Sequence, residues 1–165
     1  MGRRAQTALV RIGLALCGLL AACACAAMSG VVTRVTDGDT LWVRPLEGGK
    51  PRKLRVQGID APERCQSGGR EATARMKALV LGQTVRAQEG PIDNHGRRLV
   101  RLMRGDTDIG AQLVREGHAW SYRWRYDLGP YAAEEREARA ARRGVFADPA
   151  AITPREFRRL HGPCR

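Results

Sequence analysis

Nitrogen and sulfur metal ligands are scarce in this chain. Three histidines are scattered and five cysteines fall at positions 17, 23, 25, 65 and 164. No combination has the ligand spacing of a zinc site. A long apolar run is also missing: Ile12 to Ala22 is apolar but too short to span a bilayer as a stable helix. No glycine fingerprint follows a strand-like run, and strands and helices do not alternate, which excludes a dinucleotide-binding sheet. There is no internal repeat, no low-complexity tract and no sign of a second domain. Acid is the scarcer charge, with 17 Asp and Glu against 29 Lys and Arg and a net charge of +12 over 165 residues. That balance favours polyanions through counterion release and steering, with nucleic acid ranked ahead of membrane surfaces and acidic polysaccharides.

The first thirty or so residues stand apart. Arg3, Arg4 and Arg11 precede the apolar stretch, and the small residues Ala24, Cys25, Ala26 and Ala27 follow it. A basic head, a short apolar segment and a small-residue site read as a secretory signal peptide over residues 1–27. Leu20-Ala21-Ala22-Cys23 resembles a lipobox, which would lipidate Cys23 and tether the chain to the cell envelope. The short distance to the first expected strand at Val31 favours plain cleavage after Ala26 or Ala27 and a secreted or periplasmic product. Removing the three leader arginines from the net charge leaves +9. Cys65 and Cys164 are then the only cysteines left. An oxidising compartment favours a disulfide between them, the alternative being two unpaired thiols.

The remainder reads as short strands followed by helices. Val31 to Val35 and Thr40 to Val43 are β-rich runs around an Asp-Gly turn. Lys53 to Ile59 alternates, with Leu54 and Val56 on one face and Arg55 and Gln57 on the other. Thr84 to Gln88 and Arg98 to Met103 are two more strands. Arg70 to Leu81 has helical spacing, with Ala72, Met76, Leu79 and Val80 in one stripe. Ile109 to Glu116 is a shorter helix. Tyr131 to Arg143 is a charged one, with Glu135 and Arg139 one turn apart and a thin seam of Ala138, Ala141 and Val145. This pattern predicts an α+β domain over residues 31–149: a five-stranded β-barrel of OB type with about three packed α-helices, then a C-terminal tail over 150–165.

Three short pieces could carry chemistry. Asp37-Gly38-Asp39-Thr40 can point two carboxylates at one hard cation, although Asp-Gly alone is more often purely structural. Arg55 to Glu63 is more informative. Arg55 lies on a strand that Asp60 ends, and Pro62 turns the chain so that Glu63 faces back toward Asp60. Two carboxylates in different surroundings suit a metal ligand and a base. In Asp93-Asn94-His95-Gly96-Arg97, the glycine lets Arg97 reach forward to a phosphate. His95 is a lone loop histidine, a bystander in most such settings. Together the pieces supply what phosphodiester hydrolysis needs: charge neutralisation, an activated water and support for the leaving oxygen.

Val-Thr-Asp-Gly-Asp-Thr-Leu, Leu-Arg-Val-Gln-Gly-Ile-Asp-Ala-Pro-Glu and Asn-His-Gly-Arg, in that order, resemble the staphylococcal nuclease family, and the likeness runs from Val31 to Pro149. The resemblance implies an OB-fold barrel with three helices and a calcium site. It implies Asp39, Asp60 and the carbonyl of Ala61 as ligands to Ca2+, with Asp37 shaping the turn. Glu63 would be the base that activates water, Arg55 would grip the phosphate, and Arg97 would stabilise the transition state and assist the leaving group. It also implies cleavage of DNA and RNA to 3′-phosphates. With no spare apolar stripe evident the default is a monomer, and the lipobox-like segment would involve a membrane only if Cys23 is lipidated.

The stretch from Trp120 to Tyr126 departs from the family type in its wealth of aromatics and arginines, and it offers Tyr122 and Tyr126 as substrate-stacking candidates. Two other readings stay open: a non-catalytic OB-type nucleic-acid-binding module, and a basic surface lipoprotein with a structural role. Retention of all five side chains, Asp39, Arg55, Asp60, Glu63 and Arg97, speaks against the binding module.

Overall fold

The computed structural model describes residues 27–123 and 126–164. The leader residues 1–26, with Cys23 and the cleavage site after Ala26, lie outside the described residues, as do Trp124 and Arg125. Strands β1 (Ala27–Val35), β2 (Thr40–Pro45), β3 (Arg52–Val56), β5 (Thr84–Ile92) and β6 (Arg98–Arg104) form a sheet in the order β3-β2-β1-β5-β6. It closes on itself where β3 runs parallel to β6, with Leu54, Arg55 and Val56 opposite Arg98, Leu99 and Val100. The product is the expected five-stranded barrel. Two-residue strands add a small ladder, β4 (Ile59–Asp60) with β8 (Trp120–Ser121), and an edge, β7 (Thr107–Asp108), on β6.

The inward face of each strand supplies the core: Val32, Leu41, Val43, Leu54, Val56, Val85, Ala87, Val100 and Leu102 are all buried. Each larger one contributes about 2 kcal/mol by leaving water. Helix α1 (Gly69–Val80) caps this core with Ala72, Met76, Leu79 and Val80. Helix α2 (Ile109–Arg115) adds Ile109, Leu113 and Val114, and starts on a capping bond from Ala111 N to Asp108. Helix α3 (Ala132–Ala140) packs Ala138 into a second, smaller cluster with Trp120 and Phe146. A short 3₁₀ turn, Gly144–Ala147, follows it. Among the described residues no helix is long and apolar enough to cross a membrane.

The structure departs from expectation in four places. Strand β1 starts at Ala27 rather than Val31, because Ala27 to Gly30 pair with β5 and bury Met28. Tertiary pairing there overrides a weak local strand propensity. The expected strand Lys53 to Ile59 breaks at Gly58, whose φ of 79° needs glycine, so Asp60 sits on its own short ladder. Glu135 forms the expected pair with Arg139 but is not confined to it. It is buried, accepts from Ser121 N at 2.9 Å, and takes both Arg123 and Arg139. Finally, the expected tail contains helix α4 (Pro154–His161), capped by Thr153 accepting from Glu156 N with Pro154 in the first turn.

Candidate active site

The Asp37–Thr40 turn is fixed by its own polar groups. The backbone N–H groups of Thr36 and Asp37 both donate to Thr40 O, and Asp39 N donates to Asp37 Oδ1 at 3.1 Å. Gly38 is required by packing: a Cβ there would collide with Ala61 and Ala72. The turn therefore seats Asp39 against the corner that follows β4. Thr40 donates its hydroxyl to Asp39 Oδ1 at 2.8 Å. Thr40 also faces Arg55 across the β2–β3 ladder, and this register brings Arg55 beside Asp39.

Arg55 bridges the two buried acids. Its Nη1 lies 2.7 Å from Asp39 Oδ2 and its Nη2 3.0 Å from Asp60 Oδ1. Burial works against the Arg55 charge, but Asp39 and Asp60 hold its pKa above the ordinary arginine value. Burial pushes the Asp60 carboxyl up against the pull of Arg158 and Arg55. Burial and the neighbouring Asp39 carboxylate push Asp37 up to about 6.

Glu63 lies one corner further on. Its carboxylate is 2.6 Å from Arg158 Nη1 on α4. The backbone of Glu63 is held as well, its N–H donating to the side chain of buried Gln66 at 3.1 Å. Gly69, at the start of α1, has no room for a Cβ beside Glu63 O. Arg97 comes from the opposite side. Asp93 takes Arg97 Nε at 2.8 Å together with the backbone N–H groups of His95 and Arg97, and Arg97 Nη1 reaches Thr40 Oγ1 at 3.4 Å. Burial opposes it, yet these bonds keep the Asp93 carboxyl below the usual range.

Asp39, Arg55, Ala61, Glu63 and Arg97 line one open cleft of about 1350 Å³, and Asp60 lies directly behind its wall on Arg55. His95 and Tyr122 line the cleft too. Tyr126 does not: its ring is 99% exposed and stands outside the lining. The structure joins Cys65 and Cys164 in a disulfide, which ties the chain after α4 to the loop after Glu63. Sequence reasoning missed Arg158 and Gln66. The only signal for either was the Thr153-Pro154-Arg155-Glu156 capping box, which marks a helix in the expected tail.

The donor set suits a hard cation. Asp39 and Asp60 are buried carboxylates that share a single guanidinium. Among the described residues no three His, Cys, Asp or Glu side chains gather into a closed metal cage. Asp39, Asp60 and the Ala61 carbonyl are the oxygen donors that could hold a cation, and oxygen donors suit a hard ion better than zinc.

Comparison with known proteins points to a nuclease. The family model described as staphylococcal nuclease homologue matches residues 53–148. The chain is 37% identical over 132 residues to an uncharacterized endonuclease of Escherichia coli O157:H7, covering 79% of this chain and 84% of that protein. It is 35% identical over 170 residues to a micrococcal nuclease of Shigella flexneri, covering 95% of each. It is also 35% identical over 108 residues to a probable staphylococcal-like nuclease, CAN2, of Oryza sativa subsp. japonica, covering 65% of this chain and 29% of that protein.

Proposed function

The chain belongs to the staphylococcal nuclease family and is a nuclease of the hydrolase class, and from that premise we propose that it is a calcium-dependent phosphodiesterase that cuts DNA and RNA and leaves 3′-phosphates. The observation that carries this reading is Arg55 held between Asp39 and Asp60, with Glu63 and Arg97 facing the same cleft.

In this reading a backbone phosphate enters between Arg55 and Arg97, whose planar forks match its free oxygens. Glu63 accepts the proton of a water placed in line with the bond to be broken. The new bond forms from that water oxygen to phosphorus as the bond to the 5′-oxygen breaks. Arg97 faces the negative charge that grows on phosphate and leaving oxygen, and it needs little reorganisation because Asp93 already holds it. A calcium ion bound by Asp39, Asp60 and the Ala61 carbonyl would supply further positive charge at the phosphate. Tyr122, which lines the cleft, would stack a neighbouring base.

Cleavage assays run in parallel with calcium, magnesium and chelator test the metal, and Glu63→Ala tests the base. The expected result is cutting with calcium that chelator abolishes, and a Glu63→Ala protein that still binds nucleic acid but does not cut. A wild-type protein that binds but never cuts at millimolar calcium would be a binding module instead.

Export is part of the proposal. Support comes from the basic and apolar leader and from the small-residue site that ends it. N-terminal sequencing of the mature protein checks this, and a diacylglyceryl group on Cys23 by mass spectrometry would show a tethered form instead.

A further inference from the structure

Helix α4 enters none of the sequence motifs, yet three separate ties bind it to the corner that carries Glu63. The Cys65–Cys164 disulfide anchors the chain just past its C-terminal end. At its entry, Gln66 donates its side-chain amide to Ile152 O at 2.9 Å while its other side-chain atom accepts from Glu63 N. In the middle, Arg158 sets Nη1 2.6 Å from Glu63 Oε1 and Nη2 3.4 Å from Asp60 Oδ2. Asp60 is thus held through one oxygen by Arg55 and through the other by Arg158.

An unrestrained glutamate side chain samples several rotamers, and a base acts only from the one that reaches its water. We propose that α4 is a brace for the cleft and that Arg158 is a positioning residue, holding the Glu63 carboxylate in place beside Asp60. This rests on reading Glu63 as the base. The planar fork matters because one guanidinium spans both carboxylates, which the point charge of lysine would do less well. The disulfide matters because α4 is only eight residues long, too short to hold itself in place by helical stability alone.

The test is kcat and KM for DNA cleavage with calcium, measured on the full chain. The variants are Arg158→Ala, Arg158→Lys and the double replacement Cys65→Ser with Cys164→Ser, with Arg159→Ala as a charge-matched control on the exposed side of α4. Arg158→Ala should lower kcat by about 10- to 100-fold, as expected for a misplaced catalytic group, with KM changed less than about twofold. Arg158→Lys should recover part of the loss, the double serine variant should lose kcat in the same direction, and Arg159→Ala should keep the wild-type kcat. If Arg158→Ala fails to fold, Arg158→Gln, which keeps the packed stem, gives the same comparison.

A rise in KM at constant kcat overturns the proposal and makes Arg158 a phosphate-binding group. Unchanged kinetics overturn it, and so does faster cleavage, which would mean that α4 restrains the site. If wild type cuts and Arg158→Ala is unaffected, only the brace fails. If wild type does not cut, or Glu63→Ala cuts normally, the reading of Glu63 fails and takes the brace with it.

Discussion

Arg55 is the only basic side chain that touches both Asp39 and Asp60 among the described residues, since Arg158 reaches Asp60 alone. Arg55→Ala would leave a buried carboxylate at Asp39 without its cation, and removing one partner of a buried pair costs about 3 kcal/mol or more. Urea denaturation in chelator should show that loss, and added calcium should shrink it by supplying the missing positive charge. Cleavage should fall by at least about 100-fold with the loss of a phosphate donor. Arg55→Lys should be nearly as poor a catalyst, because an ammonium cannot span two carboxylates. What could be read from sequence at this scale was local. Arg55, Asp60 and Glu63 fall within nine residues, and a strand, a turn and a proline suffice to relate them. Arg158 was illegible because its partner Glu63 is 95 residues away. Glu135 was read only in part for a related reason: spacing along a helix gives its pair with Arg139, which forms, but not that Ser121 and Arg123 would cover it.

Between elements, α1 is joined to the end of α2 by Arg75, which grips Glu116 through Nε at 2.6 Å and Nη2 at 2.7 Å. Bonds from Arg75 hold the Glu116 carboxyl below its ordinary value of 4.5. The folded value is the depressed one, so the stabilisation is complete above the ordinary value and is lost as pH falls through the folded value. Glu116→Gln should therefore cost about 0.5–1 kcal/mol near neutrality, the range for a partly exposed pair. Urea denaturation repeated at successively lower pH should show the difference from wild type shrinking as the carboxyl becomes protonated in the folded state too. β-rich runs around a turn revealed the middles of β1 and β2, alternation revealed β3, and an apolar stripe revealed α1. The strand ends were hidden. Ala27 to Gly30 and Glu89 to Ile92 join the sheet because a neighbouring strand is there to pair with them, not because their composition asks for it.

For the molecule as a whole, the surplus of base outside the leader is what a nucleic acid meets first. If Arg55, Arg97 and one further cation each release a counterion, affinity for a short DNA should fall roughly thirtyfold between about 50 and 200 mM salt. Filter binding with Glu63→Ala, which separates binding from cutting, measures the slope. A flat response would mean that the charge is not used in binding.

The closure of β3 on β6 has a consequence in time. Arg55 stands on one side of that seam and Arg97 on the other, joined through Thr40. Every other pairing in the barrel is antiparallel, but this seam and the β1–β5 pairing both join strands more than about forty residues apart, whereas the remaining pairings are between near neighbours in sequence, and long-range contacts form late in folding. A refolding chain could hold its hairpins, with Trp42 on β2 among them, before it owned a working cleft. In a stopped-flow experiment with the disulfide left intact, recovered cleavage should trail the fluorescence change, so the last event of assembly would be the one that switches the enzyme on.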